Sequence, residues 1–337
     1  MNEYDLIKRI AGNFPRCQMQ LNDFFTSDAE MVQIGDQIWG LTIDEFTPEE
    51  DLFTSDDPKL LGANLAVATL SDLLAVGVEA QFFMHAVSLP KNTDAIFIDG
   101  LSSGIQSVLT KAGCFLCGGD IGTAETWRFC GFAMGYAPGN KFLTRNLPDE
   151  KQSLWITGHL GDANLAAFQS SVTPRFELRL DEAKLIRACA TACIDTSGGF
   201  FDAVWILHSL NPQLCIDIFA DKFPLIPAVK KFTATSEIPA EAILLGGAGE
   251  YELLFASPEN LPDSVRLELL NLGATQIGRI HPHSEPRLNI WRNNEIISVM
   301  SEPPPCPRKA ASIDVHIQDV IEMARTLFGP AQGRSKG

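Results

Sequence analysis

Four aspartates stand where this chain could do chemistry: Asp44, Asp72, Asp120 and Asp195. Asp72 interrupts the run LAVATLSDLLAVGVEA, Leu65 to Ala80, which is helix-forming and apolar on nearly every face. Such a helix is expected to be buried. A buried carboxylate needs a cation, hydrogen bonds or a metal, and no lysine or arginine lies within two helical turns of Asp72. A metal is one candidate. The other three acids sit where strands should end: Asp44 closes QIWGLTID, Asp120 follows FLCGG, and Asp195 follows ATACI ahead of the turn TSGG. Together the four would make an oxygen-rich site for a hard cation such as Mg²⁺, which takes carboxylates along with substrate phosphates. Taken singly, each is as well explained as a cap or turn residue.

The elements that must position these acids follow from periodicity and punctuation. MVQI and QIWGLTID flank Gly35-Asp36, a two-residue hairpin signal. The apolar helix comes next, then the strand QFFMHAVSL. Thr93 to Ala112 is an amphipathic helix, capped by Asn92 or Thr93 and ended by Gly113. CFLCGGD and WRFCGFAMGY read as strands, so the first half predicts helices on one face of a largely antiparallel sheet. The polar segment Ala137 to Gln152, rich in proline and glycine, marks a domain boundary. Beyond it, strands and helices alternate up to the proline-rich linker SEPPPCPRKAAS. That linker delivers a last helix capped by Ser312 and ended by Gly329, and the tail AQGRSKG is expected to be disordered.

Length and charge remove several classes of function. At 337 residues the chain is long enough for two cores, and its net charge of −16 argues against nucleic-acid or anionic-membrane partners. The amphipathic start MNEYDLIKRIAGNF does not resemble a signal peptide, and apolar runs are broken well before the ~18 residues of a membrane span. A cytoplasmic protein is expected, its eight cysteines reduced. Cys114 and Cys117 lack a second pair and read as packed thiols in a strand, while His281 and His283 around Pro282 read as a solvated strand exit. P-loop, Rossmann, G-x-S-x-G and H-E-x-x-H patterns are all missing. Two glycine turns remain, Gly118-Gly119 and Gly246-Gly247-Ala248-Gly249, where backbone amides could approach phosphates.

The order and spacing of TIDEF, ATLSDLLAVGV, CGGD, Arg145 with WITGHLG, CIDTSGG and GGAGEYELLF is more specific than any one of them. It resembles the superfamily of aminoimidazole ribonucleotide (AIR) synthetase, hydrogenase-maturation dehydratase, selenophosphate synthetase and thiamine-monophosphate kinase, and within it the thiamine-monophosphate kinases. The resemblance implies an α+β, two-domain PurM-like architecture. Residues 1–145 would form an ATP- and metal-binding domain that dimerises through its sheet, 146–330 a second α+β domain, and 331–337 the tail. Mg-ATP would bind in the cleft between the domains.

By resemblance, position by position, the metal ligands would be Asp28, Thr42, Asp44, Asp72, Asp120 and Asp195. Gly118, Gly119, Asp120, Arg145 and Ser197 would meet the nucleotide, with Arg145 and Asp195 catalytic. Asp51 and Glu250 would face the acceptor. The departures are uneven: most ATP and metal positions survive, while the acceptor side does not. Ser27 and Gly198 replace family acids, Ile43 replaces a hydroxyl, Asp51 stands where a substrate-binding histidine is expected, and Gly249-Glu250 replaces Glu-Asp before Tyr251. No aromatic substrate motif is recognisable near Phe328. The expectation is therefore a homodimeric Mg-ATP-dependent kinase of a small metabolite, with a divergent acceptor. The alternatives are another ATP-dependent enzyme of the superfamily, of ligase or dehydratase type, and a nucleotide-binding regulatory subunit that has lost catalysis.

Overall fold

A computed structural model describes residues 3–48, 57–236 and 238–329. The first half runs α1 (Glu3–Ala11), β1 (Glu30–Ile34), β2 (Gln37–Phe46), α2 (Pro58–Ala75), β3 (Glu79–Leu89), α3 (Ala95–Ala112), β4 (Phe115–Thr123) and β5 (Arg128–Tyr136). Its strands form one sheet in the order β1-β2-β5-β3-β4, antiparallel except for the β3-β4 pair. The second half runs β6 (Gln152–Ile156), α4 (Asp162–Phe168), α5 (Leu180–Cys189), β7 (Ala192–Asp195), α6 (Phe200–Leu210), β8 (Leu214–Phe219), α7 (Pro227–Ser236), β9 (Leu253–Pro258), α8 (Asp263–Asn271), β10 (Thr275–Pro282), β11 (Leu288–Arg292), β12 (Glu295–Met300) and α9 (Ile313–Phe328). These strands make a mixed seven-stranded sheet, β12-β11-β8-β10-β6-β9-β7, in which β8 and β11 are parallel. The fold class is α+β, as expected.

Local chemistry explains most element ends. Gly35, at φ +59°, lets β1 turn into β2, and Asn293 and Asn294, both at positive φ, do the same between β11 and β12. Ser312 caps α9, its Oγ accepting from the Val315 amide at 3.3 Å. The cap of α3 is Asp94 rather than Asn92 or Thr93: its Oδ1 accepts from the Phe97 amide at 2.8 Å. An acid at that position also suits the positive end of the helix. Of the two thiols expected to pack, only Cys114 is buried; Cys117 points outward from β4.

The apolar helix begins earlier and stops sooner than its composition predicts. Asp57 caps it and Pro58 occupies its first turn, where a missing amide costs nothing. It ends at Ala75, and Glu79 and Ala80 already belong to β3. It is buried along most of its length, between β2 and β5 of the first sheet on one side and β7 and α5 of the second half on the other. Helix α3 covers it closely, because a Cβ on Gly104 would stand 2.1 Å from the Lys59 carbonyl oxygen. The helix is thus the common wall of both halves.

The sheet face away from α2 is open, with Ile43, Phe82, Met84 and Phe115 exposed on it. No helix among the described residues is long and apolar enough to cross a membrane.

Candidate functional site

Asp72 lies in the last turn of α2, where the negative end of the helix disfavours a carboxylate. Pleating places Thr42 and Asp44 on the face of β2 that looks at this turn, and the Thr42 hydroxyl donates to Asp72 Oδ2 at 2.5 Å. Asp195 is the last residue of β7, and the neighbouring Ser71 hydroxyl of α2 donates to its Oδ2. Asp28 arrives from the segment before β1, its side chain only 1% exposed. Carboxylate oxygens of Asp28, Asp72 and Asp195 lie within 4.8 Å of one another. Each half of the chain supplies at least one.

One buried cation answers this charge. Arg145, in the connection between the two sheets, reaches Asp28 Oδ1 through Nη2 at 2.9 Å and the Phe25 carbonyl through Nη1 at 3.1 Å. Burial works against the guanidinium, but Asp28, with Asp72 and Asp195 behind it, holds it above its ordinary range. One arginine does not balance three acids. Loss of water pushes the Asp72 carboxyl well above the usual carboxylate range, with Asp44, Asp195 and Asp28 adding to the shift and Thr42 opposing it. Asp195 rises to about 6 for the same first reason, with Asp28 adding and Ser71 and Ser197 opposing.

The donor set fits a hard cation. All the close atoms are oxygens, the group carries excess negative charge, and Asp28 Oδ2 is buried with no hydrogen-bond donor among the described residues. A divalent ion at this point would supply what Asp28 Oδ2 lacks.

Two hollows with lining residues in common flank the triad. One, of about 650 Å³, is lined by Asp28, Thr42, Asp44, Asp72, Arg145 and Ser197. The other, of about 260 Å³, shares Asp44, Asp72, Arg145 and Ser197, and then opens towards Gly198, Asp202, Gly247, Gly249 and Tyr251. Its far wall is the proline-rich linker, Pro304 to Arg308, laid over the glycine turn so closely that a Cβ on Gly247 would meet Pro307 at 2.5 Å. Asp202 and this strap were not singled out from the sequence. Their signals were slight: an acid one turn into a helix, and a linker with no periodicity.

Other expected residues lie elsewhere. Gly118, Gly119 and Asp120 are on β4, the exposed edge strand, three strands from Asp44 or about 14 Å at the usual spacing. The register puts Asp120 level with Ala86, Cys130 and Glu45, on the face opposite Asp44. It does not join the triad within one chain. Glu250 is buried behind the glycine turn, where both its oxygens accept from the Gly161 amide at 2.8 and 2.7 Å. Burial raises its carboxyl to about 8, with Glu252 adding and the Gly161 amide opposing. It lines a separate hollow with Glu252 and Arg179 and does not line the cleft. Asp51 falls outside the described residues.

A second group able to hold a metal, Cys215, Asp217 and His281, lies on β8 and β10. His281 is therefore not a solvated turn residue: its Nε2 stands 3.3 Å from Asp217 Oδ2. Arg279 Nε donates to the same oxygen at 2.7 Å and Asn289 to the other at 2.8 Å, so this carboxylate is already answered.

Residues 26–137 match the family described as AIR synthase related protein, N-terminal domain. The thiamine-monophosphate kinase of Haemophilus influenzae is 26% identical over 305 residues, 83% of this chain and 90% of that protein. That of Archaeoglobus fulgidus is 26% identical over 285 residues, 81% of this chain and 91% of that one. Among solved structures, AaThiL complexed with AMPPCP and TMP superposes with a TM-score of 0.72 at 21% identity, over 88% of this chain and 93% of that one. At that identity the likeness establishes the fold.

Proposed function

We propose that this chain, which belongs to the AIR synthase-related superfamily, is an Mg-ATP-dependent phosphotransferase acting on a small acceptor other than that of its named relatives. The observation that carries this reading is the triad of Asp28, Asp72 and Asp195 beside Arg145, with one buried oxygen left without a donor. Asp28, Asp72 and Asp195 would hold the metal, which when bound neutralises phosphate charge. Thr42 and Ser71 orient two of those carboxylates by hydrogen bonds, so the acids are aimed before anything binds. Arg145, pinned between Asp28 and the Phe25 carbonyl, lines both hollows.

The acceptor is left open for a structural reason. The smaller hollow is walled by Pro304, Pro305, Cys306, Pro307 and Arg308 together with Asp202, and Glu250 is turned away from it. Of these, Glu250 stands where the sequence departs from the kinase pattern. Of the residues expected to meet the nucleotide, Arg145 and Ser197 line the cleft, and AMPPCP, an ATP analogue, is what the superposed structure holds beside TMP. The open sheet face, with Ile43, Phe82, Met84 and Phe115 exposed, suits a second copy of the chain.

Thermal unfolding with a non-hydrolysable ATP analogue, with and without Mg²⁺, tests the reading. Ligand at about 100 times its dissociation constant stabilises by roughly 2.7 kcal/mol. The expected result is a Mg²⁺-dependent rise in midpoint that Asp72→Asn abolishes. No rise at millimolar analogue, or a full rise in Asp72→Asn, would end the assignment.

A further inference from the structure

Six residues other than glycine stand at positive φ among the described residues. Asn140, Asn293 and Asn294 are of the type that tolerates it, and Ser170 is small. Phe25 at +67° and Tyr251 at +56° are neither, and both aromatics line the smaller hollow of the cleft. Backbone strain of this kind persists only where the surroundings over-determine it.

At Phe25 those surroundings converge on Arg145. Thr26 closes a tight turn, giving its amide to the Asp23 carbonyl at 3.2 Å and its hydroxyl to the same oxygen at 2.7 Å. Phe25 is thereby the third residue of the turn, where a positive φ calls for glycine. The Arg145 amide donates to the Thr26 carbonyl at 2.7 Å, and Arg145 Nη1 donates to the Phe25 carbonyl at 3.1 Å. The guanidinium carbon also lies 4.7 Å from the centroid of the Phe25 ring, within cation–π range. One strained residue thus meets one arginine with both its carbonyl and its ring. The other hydrogen-bond partner of the guanidinium is Asp28, through Nη2, and its Nε is buried without an acceptor among the described residues.

We infer that Phe25 is a positioning residue, whose left-handed backbone holds ring and carbonyl together against Arg145 and so fixes the plane of the guanidinium. Two hydrogen-bonded nitrogens leave that group free to tilt about the line between them, and a ring against its face removes the freedom. Phe25 and Arg145 each line both hollows, so the fixed plane stands in the wall the two share. A planar fork held still before phosphate arrives loses less on binding than one that must be ordered then. The inference rests on the metal-nucleotide reading of the cleft.

Thermal unfolding of the full chain, across concentrations of a non-hydrolysable ATP analogue with Mg²⁺, tests it in the wild type, Phe25→Tyr, Phe25→Leu, Phe25→Ala, Phe25→Gly, Arg145→Ala and Phe25→Leu/Arg145→Ala. Phe25→Leu, which keeps bulk but not the aromatic face, should weaken analogue binding about fivefold or more. Phe25→Tyr should stay within about twofold of the wild type. On the Arg145→Ala background, Phe25→Leu should cost nothing further. Without ligand, Phe25→Gly should unfold at a higher midpoint than Phe25→Ala, because glycine takes the positive φ freely, yet both should bind the analogue equally weakly.

Unchanged binding in Phe25→Leu would overturn the inference and leave the phosphotransferase reading standing. A loss in Phe25→Tyr as large as in Phe25→Leu would overturn it too, as would a Phe25→Leu loss that persists in full without Arg145, since the ring would then act by another route. A Phe25→Gly midpoint below that of Phe25→Ala would remove the strain on which it is built. A wild type that binds no analogue sinks the phosphotransferase reading, and the inference with it.

Discussion

Asp195 and Asp217 are two aspartates of one sheet, 2% and 1% exposed, and they live in opposite electrostatic conditions. Burial pushes both carboxyls up. At Asp217 hydrogen bonds from Asn289 and Arg279 outweigh it, and the group ends below its ordinary range. At Asp195 the nearest charge is another carboxylate, Asp28, which pushes in the same direction as burial. The difference teaches that burial of an acid does not by itself mark a ligand site. What marks it is charge that the chain leaves unanswered, and the cleft triad keeps such charge while the cluster on β8 and β10 does not.

The comparison breaks most visibly under pH. Asp195 rises from 3.8 to about 6 on folding, so the folded chain holds a proton that the unfolded chain releases across that interval. Its contribution costs nothing below about pH 4 and destabilises increasingly as pH climbs to the folded value. The shift corresponds to about 3 kcal/mol, shared with Asp72 because the two carboxyls titrate together. In chelator-treated protein, denaturant unfolding should show stability falling from pH 4 to 7, and Asp195→Asn should flatten that fall. Glu250, raised to about 8, adds a slope of the same sign that Asp195→Asn leaves in place. An unchanged profile in Asp195→Asn would mean that Asp195 carries none of the charge strain of the cleft.

Asp217 should behave in the reverse sense. Its lowered carboxyl contributes stability that is present at neutral pH and fades as pH falls through and below the ordinary value of 3.8. Asp217→Ala removes the acceptor of Asn289 and of Arg279, and hydrogen bonds to a charged group contribute about 1.5–3 kcal/mol. Unfolding at pH 7 should therefore show a loss of about 2 kcal/mol, shrinking in acid. A variant as stable as the wild type would place Asp217 among the unanswered acids and remove the contrast.

How much of this was legible in the sequence depends on whether the cause is local. The Gly35-Asp36 hairpin, the Gly113 stop and the Ser312 cap rest on a few neighbouring residues, and they stand where the sequence places them. The start of α2 at Pro58 escaped notice because the apolar run that marks the helix begins seven residues later. The strand order β1-β2-β5-β3-β4 depends on pairings between distant segments, and with it went the face on which Asp120 lies. Asp28, Asp72 and Asp195 could be grouped through an ordered motif series, whereas Asp202 could not. Its place against Gly198 arises only when α6 folds back over the turn. The strap Pro304 to Arg308 was likewise invisible, because a segment without periodicity announces no surface on which to lie.

The finest distinction is which partner holds Asp217. Arg279 is the obvious one, at 2.7 Å, but its side chain is 48% exposed, so water can take over most of what the carboxylate provides. Asn289, by contrast, is buried and donates to the other oxygen at 2.8 Å. Exposed ion pairs contribute about 0–1 kcal/mol, and Arg279 also lies over Trp291 at 5.3 Å, a contact that survives loss of the acid. Arg279→Ala should thus cost less than about 1 kcal/mol, and a cycle with Asp217→Ala should return a coupling well short of the Asp217→Ala loss itself. The side-chain amide of Asn289 would then be the group that sets this carboxylate apart from the triad, which among the described residues has hydroxyl donors, the Ser197 backbone amide and one shared arginine but no side-chain amide. If instead Arg279→Ala costs as much as Asp217→Ala, a half-exposed arginine is enough to answer a buried acid. Arg145, far better buried beside Asp28, would then have to be granted the same power over the cleft, and the triad's claim to a metal would weaken accordingly.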